Sequence, residues 1–405
     1  MSTKLNLHRL IGADVGYLHA IRVEKDDRGQ LSEAREKIRD TLRDAFRNWE
    51  DFVTRVELRD SAVASAGFDF RLPAPKFRIQ GSFAYHTAND CQYPPDQQID
   101  QDDGVFLPLS FVMVNGSARP TIASAAYFRL VERALAPLCA EEGWALNPGP
   151  KPKNSCVRVG ISDRLHIDLP LYAIRDDAFE QLISFASANS LQKSIEIRDS
   201  RELDDQIYRQ LKHAEIILAH RRDGWIESDP RRLESWFGNA QGIFGPVREL
   251  SRCFKGARDA NFDDGLSSIC IMASVVRAVE VIGRIDENRL DLAMIKVARE
   301  MARKVHAPVE NPVFPGDRSK YLCLGWDDAY RIKVRDFFSA IADELATATD
   351  GTYHKAIALD HAKRALGPRV PMDEALISMS VAADSVRSVA PARQPEPMVP
   401  RTKSG

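Results

Sequence analysis

The chain has 405 residues, with 56 Lys+Arg against 58 Asp+Glu and a net charge of −2. That length allows one large core or two domains, and the balanced charge excludes a general nucleic-acid coat while leaving a local basic groove open. Six scattered cysteines (Cys91, Cys139, Cys156, Cys253, Cys270, Cys323), with no CxxC pair, support neither a zinc site nor a disulfide framework. No apolar run approaches the roughly 20 residues that span a bilayer, and no signal-peptide pattern opens the chain, so a soluble cytoplasmic protein is expected.

Residues 1–30 read as irregular. From Leu31 the apolar positions Leu31, Ile38, Leu42, Ala45 and Trp49 recur at helical spacing and predict a long amphipathic helix into the fifties. Its polar side carries Arg35, Arg39 and Arg43, spaced by four. This ridge is either a solvated face or a pocket for a regulatory anion such as phosphate or carboxylate.

A strand over Phe77–Gln80 breaks at Gly81-Ser82, and a polar loop leads to a second strand from Ile99 through Pro108 towards Met113. Gly81 permits a tight turn and close backbone approach to an anion, and the Ser82 hydroxyl can donate to a phosphate oxygen. Strand alternation puts Asp100 and Asp102 on one face, with Ile99 and Gln101 on the other. Adjacent carboxylates repel, so such a pair marks a cation site or one protonated acid. A calcium loop does not fit, because Gly104 comes one residue early and Phe111 stands where a bidentate acid is required. Asp103 turns away and reads as structural.

Pro120 precedes an apolar-patterned helix, Ile122–Cys139. Two strands follow, Val157–Ile161 and Leu165–Ala173. In the second, Ile167, Leu169 and Leu171 form one face, and His166 and Asp168 the other. A carboxylate between apolar neighbours is costly unless it meets a cation, water or a partner, which makes Asp168 the third ligand candidate. Three carboxylates on neighbouring strands can hold two Mg²⁺ ions (Mn²⁺ as a substitute) for in-line phosphoryl transfer.

Beyond residues 175–200 the patterns turn almost wholly helical, which divides the chain into a core (1–190), a helical lobe (191–387) and a disordered Pro-rich tail (388–405). In the lobe, Ser228-Asp229-Pro230 starts a helix, Arg248–Arg258 forms another, and Ser267-Ser268 opens the apolar helix Ile269–Ile282 after the Asp264-Gly265 break. Further helices cover about Trp326–Thr347 and Tyr353–Leu366, with Gly367-Pro368 as the stop.

The ordered set QGSFAYHT, IDQDDGVFLP with Asp100 eighteen residues after Ser82, HIDLPLYAI, SDPRRLESWF, RELSRCFKGARDANFDDGLSSICIMA and NPVFP resembles the bacterial cGAS/DncV-like nucleotidyltransferases over most of the chain from Leu31. The resemblance implies an α+β fold: a polymerase-β-like core of mixed sheet flanked by helices, with a C-terminal helical lobe closing the nucleotide cleft. It implies a Mg²⁺-dependent synthase of a cyclic dinucleotide, 3′,3′-cyclic GMP-AMP from ATP and GTP, in anti-phage (CBASS) defence, with nucleic acid not required. Products with other bases or linkages, cyclic trinucleotides and transfer to another acceptor are the alternatives.

By the same likeness Asp100, Asp102 and Asp168 are the metal ligands and catalytic residues. Gln80, Gly81, Ser82, Phe83, Ala84 and Tyr85 form the triphosphate-binding turn, and Arg158, Lys255, Ser267 and Ser268 contact nucleotide. The residues alone suggest only a strand-edge arginine, a surface lysine and helix-capping serines. A monomer is expected, with an E1/E2-like conjugating enzyme as a partner acting on Gly405. The chain is shorter than the family pattern after the first helix and lacks the zinc insertion of animal cGAS.

Overall fold

The computed structural model describes residues 4–54, 57, 72–109, 113–114, 117–118, 120–174, 179, 216–228, 230–262 and 265–380. The expected domain boundary near 190, the stretch 110–112, Asp229, Asp264 and the tail with Gly405 lie outside the described residues.

The chain runs β1 (Leu5–Asn6), α1 (His8–Ile11), α2 (Tyr17–Ala20), α3 (Lys25–Arg47), β2 (Lys76–Gln80), α4 (Gly81–Ala84), β3 (Ile99–Pro108), a short hairpin of β4 (Met113–Val114) and β5 (Ser117–Ala118), and α5 (Pro120–Glu142). It continues through β6 (Ala145–Leu146), β7 (Cys156–Gly160), β8 (Leu165–Ile174), β9 (Ile217–His220) and β10 (Gly224–Glu227). The rest is helical: α6 (Pro230–Phe244), α7 (Val247–Asn261), α8 (Ser268–Ile282), α9 (Leu290–Arg303), α10 (Asp328–Ala346) and α11 (Lys355–Leu366), ending in β11 (Ser378–Met379).

The sheet is mixed. β3 pairs antiparallel with β2 and parallel with β8, whose other edge is shared by β7 and β9. Alternation separates its two faces. Val105 and Leu107 on β3, with Leu165, Ile167, Leu169 and Leu171 on β8, turn to one side and are almost wholly buried. There they pack with Leu31, Ile38, Leu42 and Phe46 of α3 and Phe128, Val131 and Leu135 of α5. Each fully buried apolar side chain of this kind contributes about 1.5–3 kcal/mol. The opposite face carries Asp100, Asp102 and Phe106 of β3 beside His166, Asp168 and Tyr172 of β8.

α3 begins at Lys25, six residues before the expected start at Leu31. Its apolar stripe begins only where the helix meets the sheet at Leu31. The preceding turn is polar and is fixed by Asp27, which pairs with Arg164 at 3.0 Å. The arginine ridge is engaged by the protein itself. Arg35 is buried and bonded to Ser32 and Glu36, Arg39 grips both oxygens of Asp103, and Arg43 pairs with Asp40 at 2.6 Å.

The N-terminal stretch is structured, contrary to the irregular reading. Leu5, Leu7, Leu10, Ile11, Tyr17, Leu18 and Ile21 are buried in the core of the helical lobe, and β1 pairs with β11. Two-residue strands and one-turn helices are too short to show a period. The Leu7 N–H donates to Asp291 on α9 at 3.0 Å, and Arg289 holds that buried carboxylate through both oxygens. α9 itself has no counterpart in the sequence reading. The six cysteines are buried and unpaired, and among the described residues no helix is long and apolar enough to cross a membrane.

Candidate active site

Strand register builds the site. Gln80 on β2 lies opposite Asp102 on β3, Asp102 opposite Asp168 on β8, and Asp168 opposite Arg158 on β7. Cross-strand partners share a face, so four strands deliver one polar row. One step along it, Asp100 stands opposite His166. Asp103 takes the other face, where it is fully buried and held by Arg39 at 2.7 and 2.5 Å. This agrees with its reading as structural.

The carboxylates crowd one another. Burial, then the charges of Asp100 and Asp168, push Asp102 well above the usual carboxylate range. Arg158 donates to both oxygens of Asp168 at 2.6 Å; burial pulls its guanidinium down, but these bonds and the charges of Asp168 and Asp100 together raise it above its ordinary value. Arg158 is therefore placed on the third carboxylate. Asp100 Oδ1 is buried with no hydrogen-bond partner. An oxygen-rich cluster with excess negative charge and an unpartnered carboxylate oxygen fits a hard divalent cation.

Gly81 makes the row possible. It follows Gln80 with φ +62°, and its lack of a side chain lets Asp102 approach the turn. Of the six turn residues, Gly81, Ser82 and Tyr85 line a cleft of about 440 Å³ together with Asp100, Asp102, Lys255, Arg258 and Ser268. The other three are occupied elsewhere. Gln80 accepts a hydrogen bond from the Tyr172 hydroxyl at 3.0 Å, Phe83 packs on the sheet core, and Ala84 packs on the lobe.

The far wall is α7 and the start of α8. The buried Lys255 Nζ donates to the Thr87 carbonyl at 2.7 Å, tying lobe to turn. Burial first, then the Arg258 and Arg252 charges, push this amine down to about 8. Ser267 is the N-cap of α8, accepting from Cys270 N–H at 3.3 Å, whereas Ser268 faces the cleft and accepts from Arg258 at 3.2 Å. The loop before β3 is clamped to α7 by Asn89 to the Arg252 carbonyl (2.9 Å) and Gln97 to the Asp259 carbonyl (2.8 Å).

Sequence reasoning missed Arg258, Gln98 and the position of His166. Alternation alone places His166 on the Asp168 face, but only the parallel register of β3 and β8 brings it to Asp100.

Residues 75–172 match the family described as the nucleotidyltransferase domain of cyclic GMP-AMP synthase DncV-like proteins, and residues 245–379 the cyclic GMP-AMP synthase C-terminal domain. A cyclic GMP-AMP synthase of Escherichia coli (strain TW11681) is 31% identical over 346 residues, 81% of this chain and 75% of that protein. One from Vibrio cholerae serotype O1 is 30% identical over 353 residues, 82% and 76% of the two chains. Two solved structures of Vibrio cholerae DncV, each 25% identical, superpose well. The complex with linear intermediate 5′ pppA(3′,5′)pG gives a TM-score of 0.73 over 94% of this chain and 100% of that one. A mutant with ATP, GTP and 5MTHFGLU2 gives 0.74 over 93% and 99%. This chain belongs to the DncV-like cyclic GMP-AMP synthase family of nucleotidyltransferases.

Proposed function

We propose that the chain joins ATP and GTP by two successive nucleotidyl transfers into a cyclic dinucleotide, 3′,3′-cyclic GMP-AMP. The observation that carries this reading is the pair Asp100 and Asp102, in register with His166 and Asp168 on the next strand, lining a cleft whose opposite wall presents Lys255 and Ser268. The relatives crystallised with ATP and GTP, and with a linear pppA(3′,5′)pG, support both the substrates and a stepwise course.

Asp100, Asp102 and Asp168 would hold two Mg²⁺ ions (or Mn²⁺), which neutralise triphosphate charge and favour the deprotonated 3′-oxygen. The protein positions everything else. Gly81 and Ser82 offer the triphosphate a backbone approach and a hydroxyl, and Lys255 and Arg258 offset its charge from the lobe. Arg158 holds Asp168 in place. In each step a 3′-oxygen bonds to an α-phosphorus, the bond to the bridging oxygen breaks and pyrophosphate leaves, while the hydroxyl proton passes to the carboxylate cluster. The linear product must then turn within the cleft to present its second 3′-hydroxyl.

The test is incubation with ATP, GTP and Mg²⁺, phosphatase treatment, mass spectrometry and a linkage-specific nuclease. A phosphatase-resistant cyclic GMP-AMP is expected. Only linear products, or a labelled macromolecular acceptor, would overturn the reading, and another cyclic species would correct bases or linkage. We further propose, from the family likeness, a role in anti-phage defence. Equal plaque counts with the native chain and an Asp100→Ala/Asp102→Ala variant would refute it.

A further inference from the structure

The unusual member of the site is His166. Its ring lies on β8 opposite Asp100, with the side chain only 6% exposed and Nε2 3.0 Å from Asp100 Oδ1. Its other nitrogen, Nδ1, lies 3.0 Å from Oε1 of Gln98. The Gln98 amide cannot be turned over without loss, because its nitrogen donates to the Ser162 and Asp163 carbonyls, both at 3.2 Å. An amide oxygen only accepts, so Nδ1 carries a hydrogen and Nε2 is the nitrogen directed at the Asp100 carboxylate.

Neither Nε2 nor Asp100 Oδ1 has a hydrogen-bond partner. The two atoms lie 3.0 Å apart, the spacing of adjacent ligands on one cation, and a cation there satisfies both. A ring N–H anchored on a fixed oxygen, with the opposite nitrogen directed at a carboxylate, is the arrangement by which proteins orient a metal-binding imidazole. Ligand atoms of Asp100, His166 and Asp168 all lie within 4.8 Å of one another.

We infer that His166 is a nitrogen ligand to a cation shared with Asp100 and Asp168, so that the site takes Mn²⁺ in preference to Mg²⁺. The inference rests on the proposed reading of the two aspartates as cation ligands and adds a donor to it. Mg²⁺ takes oxygen donors and keeps its waters, whereas imidazole favours first-row transition ions, and Mn²⁺ accepts nitrogen and carboxylate together.

Pulsed electron paramagnetic resonance of the full chain loaded with Mn²⁺ decides it. Nitrogen hyperfine modulation is expected, and it should change isotope pattern when histidine alone is ¹⁵N-labelled, a comparison that needs no variant. His166→Gln should abolish the modulation, with the fold checked by circular dichroism, and weaken Mn²⁺ binding roughly tenfold or more, with a much smaller effect on Mg²⁺. Bound Mn²⁺ without histidine nitrogen coupling overturns the inference and leaves the carboxylate site standing. Absence of Mn²⁺ binding, or binding that survives Asp100→Asn/Asp168→Asn, overturns the site reading and the inference together.

Discussion

A Cβ placed on Gly81 would lie 1.9 Å from Oδ2 of Asp102. The turn that would receive the triphosphate and the carboxylate that would face it are thus fitted to each other, and position 81 admits only hydrogen. Its φ of +62° adds a second constraint, since a side chain there costs about 1–2 kcal/mol.

Gly81→Ala should therefore move Asp102 or the turn. The expected result is a loss of synthase rate on the order of 100-fold, the scale of a 1 Å misplacement at a reacting centre, with a drop in stability of about 1–2 kcal/mol. Steady-state pyrophosphate release and a denaturant titration measure the two effects. Undiminished turnover in the alanine variant would show that the close approach is not required.

Asp102 gives a prediction whose sign is the reverse of the usual acidic case. Its folded proton affinity is raised by burial and by Asp100 and Asp168. The folded state then binds the proton more tightly than the unfolded state, so stability is present at low pH and is lost as pH rises through the ordinary carboxylate range towards the raised value. At neutral pH without divalent ions, Asp102→Asn should melt above the native chain. Added Mg²⁺ should raise the native melting temperature and barely move the variant, while synthesis in the variant disappears. A metal-free Asp102→Asn protein that melts below the native chain would contradict the repulsion argument.

On the far side of β3, Asp103 is fully buried and Arg39 is its bidentate partner. Arg39→Met should cost about 3–5 kcal/mol, because a buried carboxylate loses its bidentate partner. The double change Arg39→Met/Asp103→Leu should recover much of that loss. Urea titrations of the single and double variants read it. Since Asp103 neighbours Asp102, Arg39→Met should also lower turnover. A loss below about 1 kcal/mol, the range of an exposed pair, would mean the bridge carries little.

Much of the sheet was legible because period two is strict. Asp100 and Asp102 had to share a face, and Ile167, Leu169 and Leu171 had to oppose Asp168. The parallel pairing that sets Asp102 beside Asp168 was not legible, since crossover strands carry no local register signal of the kind a hairpin turn supplies. For the same reason the sequence could not tell that Arg158 meets Asp168, or that His166 meets Asp100. Lys255 read as a surface lysine because α7 shows its amphipathic period but not what docks on its polar edge. The lobe's claim on Leu5–Ile21 depends on contacts hundreds of residues apart, such as Leu18 with Arg252 (234 apart) and Leu7 with Asp291 (284 apart). No window along the chain can contain such a contact.

Lys255 supplies the last prediction. Buried, and with Arg258 and Arg252 near it, its amine titrates at about 8 against an ordinary value of 10.5. Between those values the unfolded chain binds more protons than the folded one, so this lysine makes stability rise with pH from about 8 to 10.5. A bound triphosphate acts in the opposite direction, since its charge restores proton affinity to the amine. Binding then takes up a proton once pH exceeds about 8, and affinity for ATP should fall by up to tenfold per pH unit above that point. Lys255→Met should bind ATP more weakly at pH 7 and lose this slope. Calorimetric titrations with ATP from pH 7 to 9.5 test the slope. A native affinity that stays flat across that range, or a methionine variant that keeps the slope, would remove Lys255 from the triphosphate site.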